Sequence, residues 1–218
     1  MELMDQREAA ELTAIVLRGI TRGMRGEFSV PEDFAEYDQE PSPVYARRHA
    51  ERREFLYVPD ELMAWQQWIL WRNQSGNKLP IDPWRSPRYA STTNPRTWAG
   101  FSEAAANMSD WHSGLGFVFT ADDPFAGVDL DGCVVDGVVV DPVAVQIIEE
   151  LDSYTEISPS GTGVKIWVRG RIACGRRGDR IEVYSERRYF CVTGQAIHRP
   201  VELADCDDLD DLWDAYGG

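Results

Sequence analysis

From Tyr57 onward the chain is a succession of short aromatic and β-branched runs separated by turn residues, and that rhythm limits its fold more than any other feature. Gln67-Trp68-Ile69-Leu70-Trp71-Arg72 is followed by Asn73-Gln74-Ser75-Gly76-Asn77 and then by Lys78-Leu79-Pro80-Ile81, the pattern of a β-hairpin. Leu115–Thr120 and Ala126–Leu130 read as two buried strands joined by Asp122-Asp123-Pro124. Four more strands are expected at Tyr154–Ser158, Gly163–Arg169, Arg180–Tyr184 and Arg188–Thr193. Helices are expected at Thr97–Asn107, with Asn94 as cap and Pro95 at the first position, and from Asp141-Pro142 through Leu151. A last helix is expected over Asp207–Tyr216. Strands and helices are interleaved, but hairpins dominate over β-α-β crossovers, so the fold class is α+β.

Ahead of this region, residues 6–22 carry Ala9, Leu12, Ile15, Val16 and Ile20 at close to helical spacing. An acidic, Pro-bearing stretch, Ser29 to Pro43, reads as a linker, and Val44–Phe55 as a short charged helix. The expected organisation is therefore a helical N-terminal extension and linker over 1–56, a catalytic core over 57–200, and an acidic C-terminal tail over 201–218.

Composition narrows the setting. No apolar run approaches the roughly 18–20 residues a membrane span needs, and the acidic N-terminus is unlike a signal peptide. Cys133, Cys174, Cys191 and Cys206 are widely spaced with no C-x-x-C pair, against a disulfide frame or a structural zinc site. The expectation is a soluble, cytoplasmic protein. The net charge of −15 would ordinarily argue against a nucleic-acid partner. Of the 22 basic residues, however, only Lys78 and Lys165 are lysines. Lysine depletion with excess carboxylate suits a salt-loaded, halophilic cytoplasm, where the screening length is about 3 Å at molar salt and net charge is a weak obstacle to meeting an anion.

Three local patterns carry chemistry. In Gly127-Val128-Asp129-Leu130-Asp131-Gly132, the two aspartates stand at i and i+2 of a strand and so project to one face. Side-by-side carboxylates repel unless a cation neutralises them, which suits a hard divalent ion; the alternative is a solvated turn like Asp122-Asp123. Ser158-Pro159-Ser160-Gly161-Thr162-Gly163-Val164-Lys165 is a Ser/Gly turn followed by a lone lysine in an apolar strand. It is either a phosphate cradle at Ser160, Gly161 and Lys165, or an ordinary hairpin with a snorkelling lysine. Glu182 lies between apolar neighbours, where an unpaired carboxylate is expensive, and Arg188 opens the next strand. They form either a structural pair or a third metal carboxylate and a phosphate clamp. Among the tryptophans, Trp84 and Trp98 are candidates both for stacking on bases and for burial.

The order of these patterns resembles the archaeo-eukaryotic primase superfamily, and most closely the primase–polymerases of phages, plasmids and their integrated relatives. The resemblance runs over roughly residues 57–198. It rests on W-x-x-W-R at 68–72, G-x-K-x-P at 76–80, T-x-x-x-x-W at 93–98, G-F-V-F-T at 116–120 and G-V-D-L-D-G-C at 127–133. It continues through S-Y-T-E-I-S-P-S-G-T-G at 153–163, I-E-V-Y at 181–184 and R-Y-F-x-V-T-G at 188–194. The resemblance implies a primase–polymerase catalytic core with an RRM-like antiparallel or mixed sheet flanked by helices. It also implies template-directed nucleotidyl transfer on single-stranded DNA from nucleoside triphosphates, in the replication of a virus, plasmid or integrated element. In such a site Asp129, Asp131 and Glu182 hold Mg²⁺ or Mn²⁺, and Ser160, Gly161, Lys165, Arg188 and Lys78 handle the nucleotide. Relatives often carry a helicase domain downstream, which makes a helicase in trans or in a longer chain an expected partner. One departure stands out: where the family usually has a histidine after the Ser/Gly turn, this chain has Lys165. A lysine keeps its charge but lacks a neutral imidazole, so a catalytically degenerate module that binds DNA or nucleotide is the alternative, and a metal-dependent nuclease a third.

Overall fold

The computed structural model describes residues 57–198 and 202–217. The expected elements at 6–22, 29–43 and 44–55 lie outside them. The described residues form a mixed α+β structure of mostly antiparallel sheets and few helices. After a single turn of helix, α1 (Asp60–Met63), the chain runs β1 (Trp68–Gln74) and β2 (Asn77–Ile81) as a hairpin. Ser75 and Gly76 make its two-residue turn, with φ of 53° and 86°. Two successive positive φ values match the twist of the flanking strands, and Gly76 adopts its value without steric cost.

Next come α2 (Phe101–Ala106), β3 (Gly114–Phe119), β4 (Phe125–Leu130) and the small hairpin β5 (Val134–Val135) and β6 (Val138–Val139). Helix α3 (Pro142–Leu151) and strands β7 (Thr155–Ile157), β8 (Val164–Gly170), β9 (Arg176–Arg177) and β10 (Ile181–Tyr184) follow. The last elements are β11 (Arg188–Val192), β12 (Ala196–His198), β13 (Ala204–Cys206) and α4 (Leu209–Tyr216). Among the described residues, no helix is long and apolar enough to cross a membrane.

The strands make two principal sheets. One has the order β11-β3-β1-β2; the other runs β12-β7-β8-β4-β10-β9, with β13 added in parallel beside the far end of β8. Alternation along each strand explains how they stack. Trp68, Phe117, Phe119 and Phe190 of the first sheet meet Phe125 and Trp167 of the second in one fully or nearly fully buried layer. Most of their rings meet edge to face, as in Phe119–Phe190 at 5.0 Å and Trp167–Phe190 at 5.4 Å, while Phe119 and Trp167 are tilted by 37°. Such pairs are worth about 0.5–1.5 kcal/mol beyond their burial. The opposite face of the second sheet, with Val128, Ile166 and Val183, packs against Ile147 and Leu151 of α3 and Leu209 and Leu212 of α4. The first sheet's outer face, at Ile69 and Val118, is covered by Ala90 and Trp98 from the loop after β2.

Several elements differ from the sequence reading, each for a tertiary reason. Asn94 does cap, but it caps a 3-10 turn at Pro95–Thr97, and the helix begins only at Phe101. Between them Ala99 pairs with Trp68 as a β-bridge, which holds Trp98 and Ala99 extended. The expected strands Arg180–Tyr184 and Arg188–Thr193 enter different sheets, β10 the second and β11 the first, so the chain crosses between sheets at 185–187. Arg171 ties this crossing to the one between β3 and β4, donating to Ser185 O at 3.1 Å and to Thr120 O at 2.8 Å. The helix expected over Asp207–Tyr216 is present as α4, and the described part of the C-terminal segment packs on the rest of the chain. Arg169 joins β13 to α1 by bonding Asp205 (2.7 Å) and Glu61 (2.9 Å), and α4 buries Leu209 and Leu212.

Candidate functional site

The second sheet carries a row of charged side chains across five adjacent strands. Glu156 on β7 pairs in register with Lys165 on β8, and Lys165 pairs with Asp129 on β4. Asp129 pairs in turn with Glu182 on β10, and Glu182 with Arg177 on β9. Cross-strand partners share a face, and here it is the face turned toward the first sheet, the side of Phe125 and Trp167. Charges in such a position are costly unless each is matched.

The row is matched in steps. Lys165, only 3% exposed, donates its ammonium to Asp129 Oδ2 and lies 4.2 Å from the centroid of the Phe190 ring. Glu182 receives Arg177 Nε on Oε1 at 2.8 Å and the Tyr184 hydroxyl on Oε2 at 2.9 Å. Glu156 is fully buried and accepts the backbone N–H groups of Thr193 (3.1 Å) and Gly194 (2.9 Å) and the Tyr154 hydroxyl (2.9 Å). Burial pushes its carboxyl up to about 7 despite these donors. One atom stays unsatisfied: Asp129 Oδ1 is buried and has no hydrogen-bond partner.

Gly127 makes this arrangement possible. A Cβ there would stand 2.2 Å from Phe190 Cε2 and 2.8 Å from Phe119 Cζ. The bare backbone lets the Phe190 ring settle between Phe125 and Asp129 on β4, which brings it over Lys165.

Beside this row opens a cleft of about 310 Å³. Asp129 and Glu182 supply its acids, while Lys78, Lys165, Arg177, Arg187 and Arg188 supply five bases. Both lysines of the chain therefore line one cavity, and a molecule of net charge −15 concentrates positive charge there. Arg188 lies over the Tyr184 ring at 4.9 Å, so it reaches Glu182 only through that tyrosine, rather than directly.

Asp131 stands one pleat beyond Asp129, past the end of β4, and does not line the cleft itself. Partial burial, and then the charges of Asp129 and Glu182, raise its carboxyl above the usual carboxylate range, with Lys165 and Lys78 pulling the other way. Ser160 and Gly161 also fall outside the cleft lining. Their turn abuts Asp131, because a Cβ on Gly163 would meet Leu130 O at 2.4 Å and Asp131 Cα at 3.3 Å. Ser160 Oγ sits in a hydroxyl chain between Ser158 (2.8 Å) and Thr162 (2.9 Å). Trp98 is buried with its indole N–H on Ser91 O, whereas Trp84 is 54% exposed.

Among the described residues, no three His, Cys, Asp or Glu side chains are arranged as a ready-made metal cage. The donor set nonetheless fits a hard cation. Asp129 offers an unpartnered buried oxygen, and Glu182 faces it across the β4–β10 pair.

Glu156, Arg177, Tyr184 and Arg187 belong to the site and were not singled out by the sequence reading. Glu156 gave the same signal as Glu182, a carboxylate inside a β-branched run. Tyr184 follows Glu182 at i+2 and so shares its face. Arg177, on a two-residue strand, gave none.

No family model matches the sequence. The chain is 34% identical over 155 residues to the DNA Primase-polymerase of Nitratiruptor phage NrS-1. The match covers 67% of this chain and 21% of that protein, so the chain spans about a fifth of the length of the curated relative it matches.

Proposed function

We propose that the chain is the nucleotidyl-transfer core of a DNA primase–polymerase, joining nucleoside triphosphates on a single-stranded DNA template. The similarity to the phage protein supports a primase–polymerase family, and one observation carries the assignment to this site. The cleft sets a carboxylate wall, Asp129 and Glu182, against a cationic wall that includes both lysines. Phosphoryl transfer asks little more of a protein than positioning and charge stabilisation, and a bipolar cleft supplies both.

In this reading Asp129, through its free Oδ1, together with Asp131 and Glu182, would hold Mg²⁺ or Mn²⁺. Bound there, the cation supplies Lewis-acid activation of the attacking hydroxyl and neutralises charge on the transferring phosphoryl group. The protein's own groups do the rest. Lys78, Lys165 and Arg188 hold the triphosphate; Arg177 and Tyr184 fix the Glu182 carboxylate from both sides. Ser160 and Gly161, whose turn abuts Asp131, would contact the nucleotide. Replication of a virus, plasmid or integrated element, with a helicase in trans or in a longer chain, is the setting this reading carries.

One feature favours a second reading. Lys165 already neutralises Asp129, as a protein cation standing where a metal's charge would be needed. A module that binds DNA or nucleotide without catalysis would have the same pair. The test is to incubate the protein with primed or bare single-stranded template, labelled nucleotides and Mn²⁺, beside Asp129→Ala and Asp131→Asn. Extension or new primers, lost in both variants, is the expected result. Binding without product would instead establish the second reading, and template degradation would establish a nuclease.

A further inference from the structure

Residues 64–100 depart from the acidic character of the rest of the chain: they contain five bases, Arg72, Lys78, Arg85, Arg88 and Arg96, and one acid, Asp82. Asp82 is fully buried and turned to structural work, accepting the Trp84 backbone N–H on Oδ1 at 2.9 Å. Arg85, Arg88, Arg96 and Lys78 are exposed. The exposed charge of this segment is thus wholly positive.

The same surface displays three of the largest exposed aromatic side chains. Trp84 is 54% exposed, Tyr89 62% and Trp111 42%. These are held in place. The Trp84 indole N–H donates to Trp98 O at 3.0 Å, so the ring is pinned by its edge while remaining open to solvent. The Tyr89 backbone bridges to Ile81 at the end of β2. The Arg72 guanidinium lies 4.0 Å from the centroid of the Trp111 ring. Ser86 Oγ and His112 Nε2, 3.0 Å apart, join the loop of Trp84 to the loop of Trp111.

This surface leads to the cleft. Lys78 and Thr92, from the same segment, line the cavity that holds Asp129 and Glu182, and the Tyr189 hydroxyl of β11 bonds Lys78 O at 2.6 Å.

We propose that the Trp84–Tyr89–Trp111 surface, with Arg85 and Arg88, is a docking track for single-stranded DNA that feeds the cleft. Pinned aromatic faces interleaved with arginines are what an unpaired strand requires, since every base has a face to stack and every nucleotide a phosphate to pair. A double helix offers no free base faces, and an acidic peptide has no use for the rings. Charge complementarity selects the anion: the exposed charges of residues 64–100 are all positive in a molecule of net charge −15. The inference rests on the primase–polymerase reading for what the strand is used for, but its location follows from exposure and charge alone.

The test is fluorescence anisotropy of labelled single-stranded oligodeoxythymidine, without nucleotide or metal, over a range of salt. Strand length should exceed the roughly 4–16 nucleotides that a compact single-strand binding fold covers. Trp84→Ala is expected to weaken binding by about five-fold or more, and Trp84→Phe to restore most of the loss. Arg85→Glu with Arg88→Glu should weaken binding further and flatten its salt dependence. Circular dichroism of each variant checks that the fold is kept. Wild-type affinity in all these variants overturns the proposal, as does a change in sedimentation with unchanged DNA binding, which would make the surface a protein interface. Template extension by wild type, with DNA affinity untouched in the variants, rejects the track and leaves the polymerase reading standing. Trp84-dependent binding by a protein that incorporates no nucleotide supports the track and rejects the polymerase reading.

Discussion

Lys165 on β8 and Asp129 on β4 are cross-strand partners whose side chains close an ion pair at the floor of the cleft, leaving Asp129 Oδ1 without a partner. Removing one member of a buried pair leaves the other charge stranded, which costs about 3–5 kcal/mol when both are fully enclosed. Asp129 is 16% exposed toward the cleft, so Lys165→Met should fall near the lower end of that range, about 3 kcal/mol in urea unfolding. Lys165 also competes for Asp129 with any bound cation. Calorimetric titration should therefore show Mn²⁺ binding more tightly to Lys165→Met, while the apparent Michaelis constant for nucleotide rises. Looser Mn²⁺ binding in the variant would mean that the lysine does not occupy the cation's place.

Gly127 leaves room on β4 for the Phe190 and Phe119 rings of the first sheet beside the site. In Gly127→Ala the new methyl would meet the Phe190 ring at 2.2 Å, and the ring would have to leave its position over Lys165. Overpacking of this kind costs about 1–3 kcal/mol. Activity should fall along with stability, and Gly127→Ala combined with Phe190→Leu should recover part of both. The unfolding midpoint and nucleotide incorporation of the single and double variants check this.

How far the site was legible from sequence follows from which interactions are local. Asp129, Glu182 and Lys165 stood out because each is a charge on an otherwise apolar strand, a signal carried by its immediate neighbours. The row that connects them was not legible, because the Glu156–Lys165 and Glu182–Arg177 registers depend on which strands become neighbours. The crossing between β10 and β11 was hidden for a similar reason: Ser185-Glu186-Arg187 spaces two strands as a hairpin loop would, yet the strands enter different sheets. One miss was legible. Val134-Val135-Asp136-Gly137-Val138-Val139 places Asp-Gly between apolar pairs, and Asp136 and Gly137 take the positive φ values (51° and 79°) of a tight hairpin turn. Trp98 shows the opposite case, where an element that reads as helix from its composition is held extended by the bridge next to it.

Glu156 sets a pH dependence whose sign is fixed by its burial. Its carboxyl is raised from 4.5 to about 7, so between those values the folded protein keeps a proton that the unfolded chain has released. Stability on this account is greatest below about pH 4.5, declines as pH rises toward 7 and is level above it, a change of at most about 3 kcal/mol. Lys165 and the Thr193 and Gly194 N–H groups oppose the decline by favouring the anion. Glu156→Gln cannot ionise and should remove this part of the slope. Urea midpoints of the two proteins between pH 4.5 and 8 decide it, and parallel profiles would show that Glu156 contributes nothing to the slope.

Glu182 is gripped by one exposed and one buried partner, which allows its positioning to be separated from stability. Arg177 is 74% exposed, and an ion pair so open to solvent contributes no more than about 1 kcal/mol. Tyr184 is a core residue, and Tyr184→Phe keeps the ring under Arg188 while removing the hydroxyl from Glu182 Oε2, a loss of about 1 kcal/mol. Arg177→Ala and Tyr184→Phe should each lower stability in urea unfolding by no more than about 1 kcal/mol. Incorporation should drop by about ten-fold or more in each if Glu182 must be held on both sides to serve the reaction, the scale of loss that follows when a supporting partner of a metal-site ligand is removed. The Tyr184→Phe loss should be partly recovered by raising Mn²⁺, since a loosened carboxylate binds the cation more weakly without losing its charge. Full activity in both variants would mean that Arg177 and Tyr184 only solvate Glu182, and that the reacting groups depend on Asp129 and Asp131 alone.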